Sequence, residues 1–216
     1  MWFNEKRVFI TGTDTGVGKT YVSIKILQMF QENGLKPCYF KPISTGGIFH
    51  QNKLVSEDVL NVRKKTGIQE SEELMNPLLY SIPAAPVISA ELEGKPVQLN
   101  KIRQAYKSLC EHYESIVVEG IGGIMVPLTE NYLVIDLVKE FNLPVIVVAR
   151  AKLGTLNHTA LTIRVLKDFG IKISGIVISH SSQMDLELGE DASIAVMERI
   201  TGIPVIKRFF YEMDYA

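Results

Sequence analysis

The sequence predicts an α/β fold, a doubly wound and mostly parallel sheet with helices on both faces. Two observations carry this prediction. Short runs of apolar and β-branched residues alternate along the chain with stretches in which apolar residues recur at helical spacing. Several of these runs are apolar at nearly every position, the pattern of strands that helices cover on both sides. Strands and helices in alternation connect as right-handed crossovers, so the strands lie parallel.

The predicted elements follow one another in order along the chain. The strands are residues 7–12, 37–42, 115–119, 144–149, 173–179 and 204–207. The helices are residues 20–31, 57–66, 101–113, 134–141, 159–169 and 191–201. Between residues 67 and 96 the periodicity is poor and prolines cluster. That segment is either an ordered excursion over the strand ends that contacts a substrate or a plain surface loop.

Composition and charge are those of a soluble globular protein. The chain has 216 residues, 46% of them hydrophobic and 22% charged, and we expect residues 1–216 to form a single domain. A formal net charge of -1 favours neither nucleic acid nor an anionic membrane as a partner. Cys38 and Cys110 lie far apart and outside metal-binding spacing. No apolar run approaches the roughly 18 residues of a spanning helix, and the first strand leaves no room for a secretory signal. We therefore expect a cytoplasmic protein.

The stretch TGTDTGVGKT nearly matches the phosphate-binding pattern G-x-x-x-x-G-K-[ST], with Thr13 in place of the first glycine. It joins the first predicted strand to the first helix, where free backbone N–H groups and the helix dipole attract a phosphate. Gly16 and Gly18 let the backbone curve around that phosphate. Lys19 would reach the outer phosphates, and the Thr20 hydroxyl would bind magnesium. We interpret the stretch as a P-loop and the fold as P-loop NTPase-like.

Three further side chains stand at element ends. Glu119 closes an apolar strand, where it is either a second magnesium ligand or a structural acid; the P-loop favours the ligand. Lys41 closes the second strand ahead of a small polar loop that could cradle an anion, although a lysine there is usually solvated. Asp58 begins a helix, and either Ser56 or Asp58 serves equally well as an N-cap. The four histidines show no zinc spacing.

With these residues together, the chain resembles the dethiobiotin synthetases, the ATP-dependent carboxylating ligases of biotin biosynthesis. The matching motifs are GTDTGVGKT at 12–20, KPISTG at 41–46, SEDVL at 56–60, VEGIGG at 118–123 and KLGTLNH at 152–158. The threonine at the irregular position of the P-loop is typical of that family. The resemblance implies that TGTDTGVGKT is a true P-loop.

The resemblance also implies roles for single residues. Nucleotide contacts are implied for Thr15, Gly16, Val17, Gly18, Lys19, Thr20, Tyr21, Asp58, Glu119, Gly120, Ile121, Gly122, Ser179 and His180. Magnesium ligands are implied at Thr20, Asp58 and Glu119, substrate contacts at Thr45, Gly122, Leu153, Gly154 and Asn157, and catalytic roles for Lys41 and Lys19. The turn at residues 152–158 would bind the carboxylate tail of the substrate across a homodimer interface, a use that suits a helix N-terminus.

The implied reaction closes a ureido ring and uses magnesium, with ATP as co-substrate. One amine of 7,8-diaminopelargonate takes up CO2, supplied from bicarbonate, to give a carbamate. The carbamate oxygen attacks the γ-phosphate to form a carbamic-phosphoric anhydride, and the second amine closes the ring and expels phosphate. No protein nucleophile is required, so the enzyme acts through positioning and electrostatics.

Three features depart from the family pattern. Ser179 and His180 stand where relatives often carry an Asn-Asp pair that recognises adenine. The longer C-terminal tail that helps to enclose the base in relatives is also missing. The base preference therefore stays open, with ATP as the default and another triphosphate as the alternative. Ile82 stands where relatives often carry an acid before a proline, so part of the substrate loop also stays open.

Two other classes compete with this interpretation. A partitioning-type ATPase switch carries a signature lysine early in the loop, at the position that Asp14 holds here. A ligase similar to cobyrinate diamide synthetase usually needs a glutaminase domain, for which this chain has no room. Both are kept as alternatives.

Overall fold

The structure is a computed structural model, and it describes residues 2–180 and 190–210. Its strands are β1 (Arg7–Gly12), β2 (Pro37–Phe40), β3 (Ile43–Ser44), β4 (Ile48–His50), β5 (Lys53–Val55), β6 (Leu78–Leu79), β7 (Ser115–Gly123), β8 (Pro127–Thr129), β9 (Tyr132–Leu133), β10 (Val145–Arg150), β11 (Ile173–Ser179) and β12 (Val205–Phe209). Its helices are α1 (Lys19–Glu32), α2 (Glu57–Thr66), α3 (Glu72–Met75), α4 (Pro86–Leu92), α5 (Leu99–His112), α6 (Val134–Phe141), α7 (Thr155–Asp168) and α8 (Glu190–Thr201).

A six-stranded sheet forms the centre of the described residues, with the strand order β12-β11-β10-β1-β7-β2. All of its neighbouring strands are parallel. The chain winds outward from β1 in both directions, because β2 and β7 lie on one side of β1 while β10, β11 and β12 lie on the other. The predicted doubly wound α/β class is confirmed. Such sheets bind ligands at the carboxyl ends of the strands where the winding reverses, here at β1 and its neighbours.

The central strands are buried on both faces, as their apolar runs predict. Successive residues of a strand point to opposite faces, and Val8, Phe9 and Ile10 of β1 are all fully buried. The same holds for residues 116–118 of β7 and 145–149 of β10. Burying one such side chain contributes about 1.5–3 kcal/mol, so the sheet is a rigid support for whatever its ends carry.

Two predicted boundaries are wrong in ways that affect the candidate site. Helix α7 begins at Thr155, four residues before the predicted start, because Gly154, with a φ of 92°, is its N-cap. Strand β7 continues through Gly123, so the glycines after Glu119 extend a strand instead of forming a turn. The register between β1 and β7 shifts between Ile10 and Gly12, which accommodates this extension.

The segment 67–96 is an ordered excursion that carries short elements of its own. It contains α3, β6 and α4, and β6 pairs in parallel with β3. Elements of two to seven residues are too short to show a period in the sequence, so they were not predicted. Two hairpins, β4–β5 and β8–β9, were missed for the same reason. None of the helices in residues 2–180 and 190–210 has the length and apolar character needed to cross a membrane.

Candidate active site

A cleft of about 720 Å³ lies at the carboxyl ends of the central strands. Eleven of the residues to which the sequence assigns a role line it, namely Thr15, Gly16, Gly18, Lys19, Thr20, Lys41, Thr45, Asp58, Glu119, Ile121 and Gly122. They come from the loop after β1 and the start of α1, from the loops after β2 and β3, from the start of α2 and from the end of β7. Because the sheet is parallel, these distant parts of the sequence meet at one edge.

The loop between β1 and α1 has the backbone that a phosphate-binding turn requires. Gly16 and Gly18 have φ values of 69° and 94°, a region that residues with a Cβ rarely adopt. Gly18 is the N-cap of α1, so the free N–H groups of the first helical turn lie beside the cleft. Arg150, at the end of β10, donates a hydrogen bond to the Thr15 carbonyl at 2.9 Å and fixes the loop from the other side.

Lys19 lies inside this loop and is nearly buried. Its ammonium donates to the Asp14 carbonyl at 3.0 Å, which folds the side chain back along the loop. Burial, and then the positive charge of Lys41, lower the pKa of Lys19 to about 8. A bound anion such as a triphosphate would stabilise the charged form of Lys19. This is the electrostatic basis of an anion site here.

We predict different effects for alanine at the two loop glycines. A Cβ at Gly18 would overlap the Ser179 hydroxyl, whereas a Cβ at Gly16 has nothing within 4 Å. Both glycines have positive φ, so alanine strains the backbone at either position. The two variants differ only in the overlap of the new Cβ with Ser179. Gly18→Ala should weaken ATP binding by about 100-fold, and Gly16→Ala by about tenfold or less, measured by titration calorimetry.

A second substitution separates the overlap from backbone strain. Ser179→Gly in the Gly18→Ala chain removes the obstructing hydroxyl and should recover part of the lost affinity. Equal losses for both alanine variants, without recovery in the double variant, would contradict this account of the loop.

The three predicted magnesium ligands meet within hydrogen-bond distance of one another. The Thr20 hydroxyl lies 2.7 Å from Asp58 Oδ1 and 2.9 Å from Glu119 Oε1. Within residues 2–180 and 190–210 no group of three His, Cys, Asp or Glu side chains could hold a metal. Two carboxylates and a hydroxyl nevertheless fit magnesium, which is commonly bound through one or two carboxylates together with waters and substrate phosphates. Their role as ligands stays a prediction.

Lys41 connects the two acids. Its ammonium lies 2.7 Å from Asp58 Oδ2 and 2.7 Å from Glu119 Oε1, and its side chain is only 5% exposed. Burial opposes the charge, but Glu119 and then Asp58 outweigh it and hold the pKa of Lys41 above its usual range. Burial likewise opposes the charge on Asp58, whose pKa is nevertheless lowered, chiefly by Lys41. The lysine is therefore a fixed ammonium, not a solvated surface residue.

Two residues that the sequence did not single out complete the surroundings of Glu119. Its second oxygen, Oε2, accepts hydrogen bonds from Ser23 at 2.8 Å and from Tyr39 at 3.0 Å. Ser23 lies one helical turn after Lys19 in α1, and Tyr39 lies in β2, two residues before Lys41. No local signature in the sequence marks either residue.

The remaining predicted nucleotide contacts are placed around the cleft but do not line it. Val17 is buried in the core, and Gly120 packs against Phe9 while its carbonyl accepts from Lys41 at 3.3 Å. At the end of β11, Ser179 lies against Gly18, and the buried ring of His180 stacks on Phe210 at 5.0 Å. Tyr21 contacts Phe209 edge to face at 5.6 Å. A nucleotide role for these residues stays a prediction.

The predicted substrate residues after β10 line a separate hollow of about 280 Å³. Leu153, Gly154 and Asn157 lie there with Ile194 and Met197 of α8. Leu153 is 91% exposed, and α7 begins directly after Gly154, so the first turn of α7 lies at this hollow. Within one chain these residues do not meet Thr45 and Gly122, which line the main cleft.

Comparison with known proteins identifies the family. Residues 6–211 match a family model described as an AAA domain. The ATP-dependent dethiobiotin synthetase BioD of Methanococcus vannielii is 42% identical over 172 residues, which cover 80% of this chain and 78% of that protein. The chain belongs to the dethiobiotin synthetase family. The dethiobiotin synthetase of Methanocaldococcus jannaschii is 36% identical over 216 residues, covering 96% of this chain and 97% of that protein.

The fold of this dethiobiotin synthetase family member also resembles that of a solved ATPase. A ParA family ATPase from Chlorobium tepidum superposes with a TM-score of 0.59 at 15% sequence identity, covering 96% of this chain and 85% of that one. At that identity the similarity concerns the fold alone. The P-loop NTPase-like class predicted from the sequence is confirmed.

Proposed function

We propose that this protein is a dethiobiotin synthetase. It carboxylates 7,8-diaminopelargonate with CO2 and closes the ureido ring at the expense of ATP, releasing ADP and phosphate. The observation that carries this proposal is the meeting of Lys19, Lys41, Asp58 and Glu119 at one cleft, in a chain of this family.

The cleft suits a reaction that needs positioning and charge but no protein nucleophile. The turn around Gly16 and Gly18 offers backbone N–H groups to the triphosphate, and Lys19 adds a cation on its outer oxygens. Thr20, Asp58 and Glu119 would hold magnesium, which would supply positive charge against the phosphates. Because these groups are fixed before the substrate arrives, they stabilise developing charge without reorganising.

Lys41 provides the positive charge nearest to the carbamate in this scheme. An amine nitrogen of the diamine forms a bond to CO2 and loses a proton, which gives the carbamate. A carbamate oxygen then bonds to the γ-phosphorus as the bond to ADP breaks. Finally the second amine attacks the carbamoyl carbon, the carbon–oxygen bond breaks, and that oxygen leaves with phosphate. Lys41 would stabilise the negative charge on the carbamate and on the transferring phosphoryl group.

Assembly and location belong to the same proposal. A homodimer would bring Leu153, Gly154 and Asn157 of one copy to the cleft of the other, where they would bind the carboxylate tail of the diamine. The exposed Leu153 and Leu161 provide apolar surface for such a contact. We place the enzyme in the cytoplasm and treat residues 1–216 as one synthetase domain.

The partitioning-type switch is not favoured. The solved ParA family ATPase is similar to this chain in fold alone. Asp14 also occupies the position at which a switch of this type carries its signature lysine. A diamide synthetase-like ligase is not favoured either, since the relatives that align over most of the chain are dethiobiotin synthetases.

Phosphate release tests the proposal together with the choice of nucleotide. The purified protein is incubated with magnesium and bicarbonate, with and without diaminopelargonate, and with ATP, GTP, CTP or UTP in turn. We expect phosphate release that depends on the diamine, with ATP used and dethiobiotin detected by mass spectrometry. Release indifferent to the diamine, or none with any nucleotide, would overturn the proposal and favour a switch-type ATPase.

A further inference from the structure

One wall of the cleft is built from residues 81–86 and carries no charge. Pro83, Ala84, Ala85 and Pro86 of this segment line the cleft, beside Thr45. The segment is also joined to the loop after β3, because the Gly46 amide donates to the Ile82 carbonyl at 3.3 Å. An apolar wall of this kind suits a hydrocarbon chain, not a phosphate.

A single carboxylate holds the start of this wall. Glu93 Oε1 accepts from the Ser81 amide at 2.6 Å, from the Ser81 hydroxyl at 3.0 Å and from the Ile82 amide at 3.0 Å. The Glu93 side chain is only 8% exposed, although the residue lies at the C-cap of α4. The hydrogen bond from the Ile82 amide is the largest of the effects that lower the pKa of Glu93 to about 2, so it is ionised at any working pH.

A second buried side chain holds the middle of the wall. The Ser89 hydroxyl lies 2.8 Å from the Ile82 carbonyl and 3.2 Å from the Ala84 carbonyl, and the residue is fully buried. Ser89 and Glu93 are one helical turn apart, so α4 presents both to the segment that leads into it. The wall is thus fixed by the helix that follows it, in addition to the hydrogen bond from the Gly46 amide.

We propose that Glu93, assisted by Ser89, positions residues 81–86 against the hydrocarbon part of the diamine. This inference rests on the proposed function, because the diamine is the substrate that the wall would meet. Both are positioning residues, since neither lines the cleft.

The test compares three variants in the diamine-dependent reaction. Glu93→Ala removes the acceptor from two amides, and we expect the KM for diaminopelargonate to rise about tenfold or more, with kcat and the KM for ATP within about threefold of wild type. Glu93→Gln keeps an oxygen at the same place and should raise the diamine KM only about threefold. Glu91→Ala, at an exposed position of the same helix, is the matched control and should change neither.

Hydrogen exchange supplies a readout independent of turnover. In Glu93→Ala the amides of Ser81 and Ile82 should exchange faster, while Glu91→Ala should leave them protected. Faster exchange with an unchanged diamine KM would overturn the inference, as would an equal rise in the KM for ATP or unchanged protection. If the wild-type protein shows no diamine-dependent release, the proposed function itself fails, and the wall loses its proposed ligand with it.

Discussion

Lys41→Met is expected to abolish dethiobiotin formation while ATP binding stays within about threefold of wild type. The ammonium of Lys41 is buried and held between Asp58 and Glu119 at the cleft, and methionine removes its charge from that place. Loss of one fixed charge that stabilises a transition state typically costs about 10²–10³-fold in rate, and Lys41 would act on both carbamate and phosphoryl group. Product formation by mass spectrometry and ATP binding by calorimetry measure the two effects separately.

The control is Lys107→Met, an exposed lysine on α5. It should leave both activity and binding unchanged. Circular dichroism of Lys41→Met checks that the chain is still folded, because the substitution leaves two acids without their cation. Normal turnover in a folded Lys41→Met protein would remove this lysine from the mechanism.

Glu119→Gln is expected to lower both activity and stability. Glu119 is 1% exposed and accepts from Thr20, Ser23, Tyr39 and Lys41. An amide in its place lacks the charge and presents an N–H group to donors. Breaking a buried ion pair from one side costs about 3–5 kcal/mol, which corresponds to a fall in Tm of about 6 °C or more for a chain of this size.

The activity of Glu119→Gln should fall by about 10²-fold or more at a magnesium concentration that saturates the wild type, since Glu119 is also a predicted magnesium ligand. Higher magnesium should recover part of this loss. Glu114→Gln is the matched control, because Glu114 forms an exposed ion pair with Lys6 and such pairs contribute about 0–1 kcal/mol. A Glu119→Gln protein that matches the wild type in Tm and in magnesium dependence would contradict the site described above.

Much of the candidate site was predictable because a parallel sheet converts strand ends into neighbours. The sequence predicts Glu119 and Lys41 at strand ends; the structure places Glu119 inside β7, four residues before its end, and Lys41 directly after β2. Lys19 and Thr20 were predicted as part of a P-loop. Their convergence then follows from topology, which the alternation of strands and helices already indicates. Asp58 was different, since a helix cap explained it equally well until the resemblance was considered.

What the sequence did not reveal depends on contacts that have no local signature. Ser23 and Tyr39 act through Glu119, which lies 96 and 80 residues away along the chain. Glu93 binds Ser81 across 12 residues, inside a segment whose helices are too short to show a period. Helix α7 begins before its predicted start because Gly154 is its N-cap. In the sequence, a glycine at that position is equally typical of a loop.

Transfer of oxygen from CO2 to phosphate shows whether the cleft activates a carbamate by phosphorylation. The reaction is run in unlabelled water with ATP, magnesium and diaminopelargonate, and with CO2 labelled with oxygen-18, with sampling before the label exchanges with solvent. The account predicts that each phosphate formed carries one oxygen from CO2, because the carbon–oxygen bond breaks at ring closure. Dethiobiotin formed together with unlabelled phosphate would contradict it.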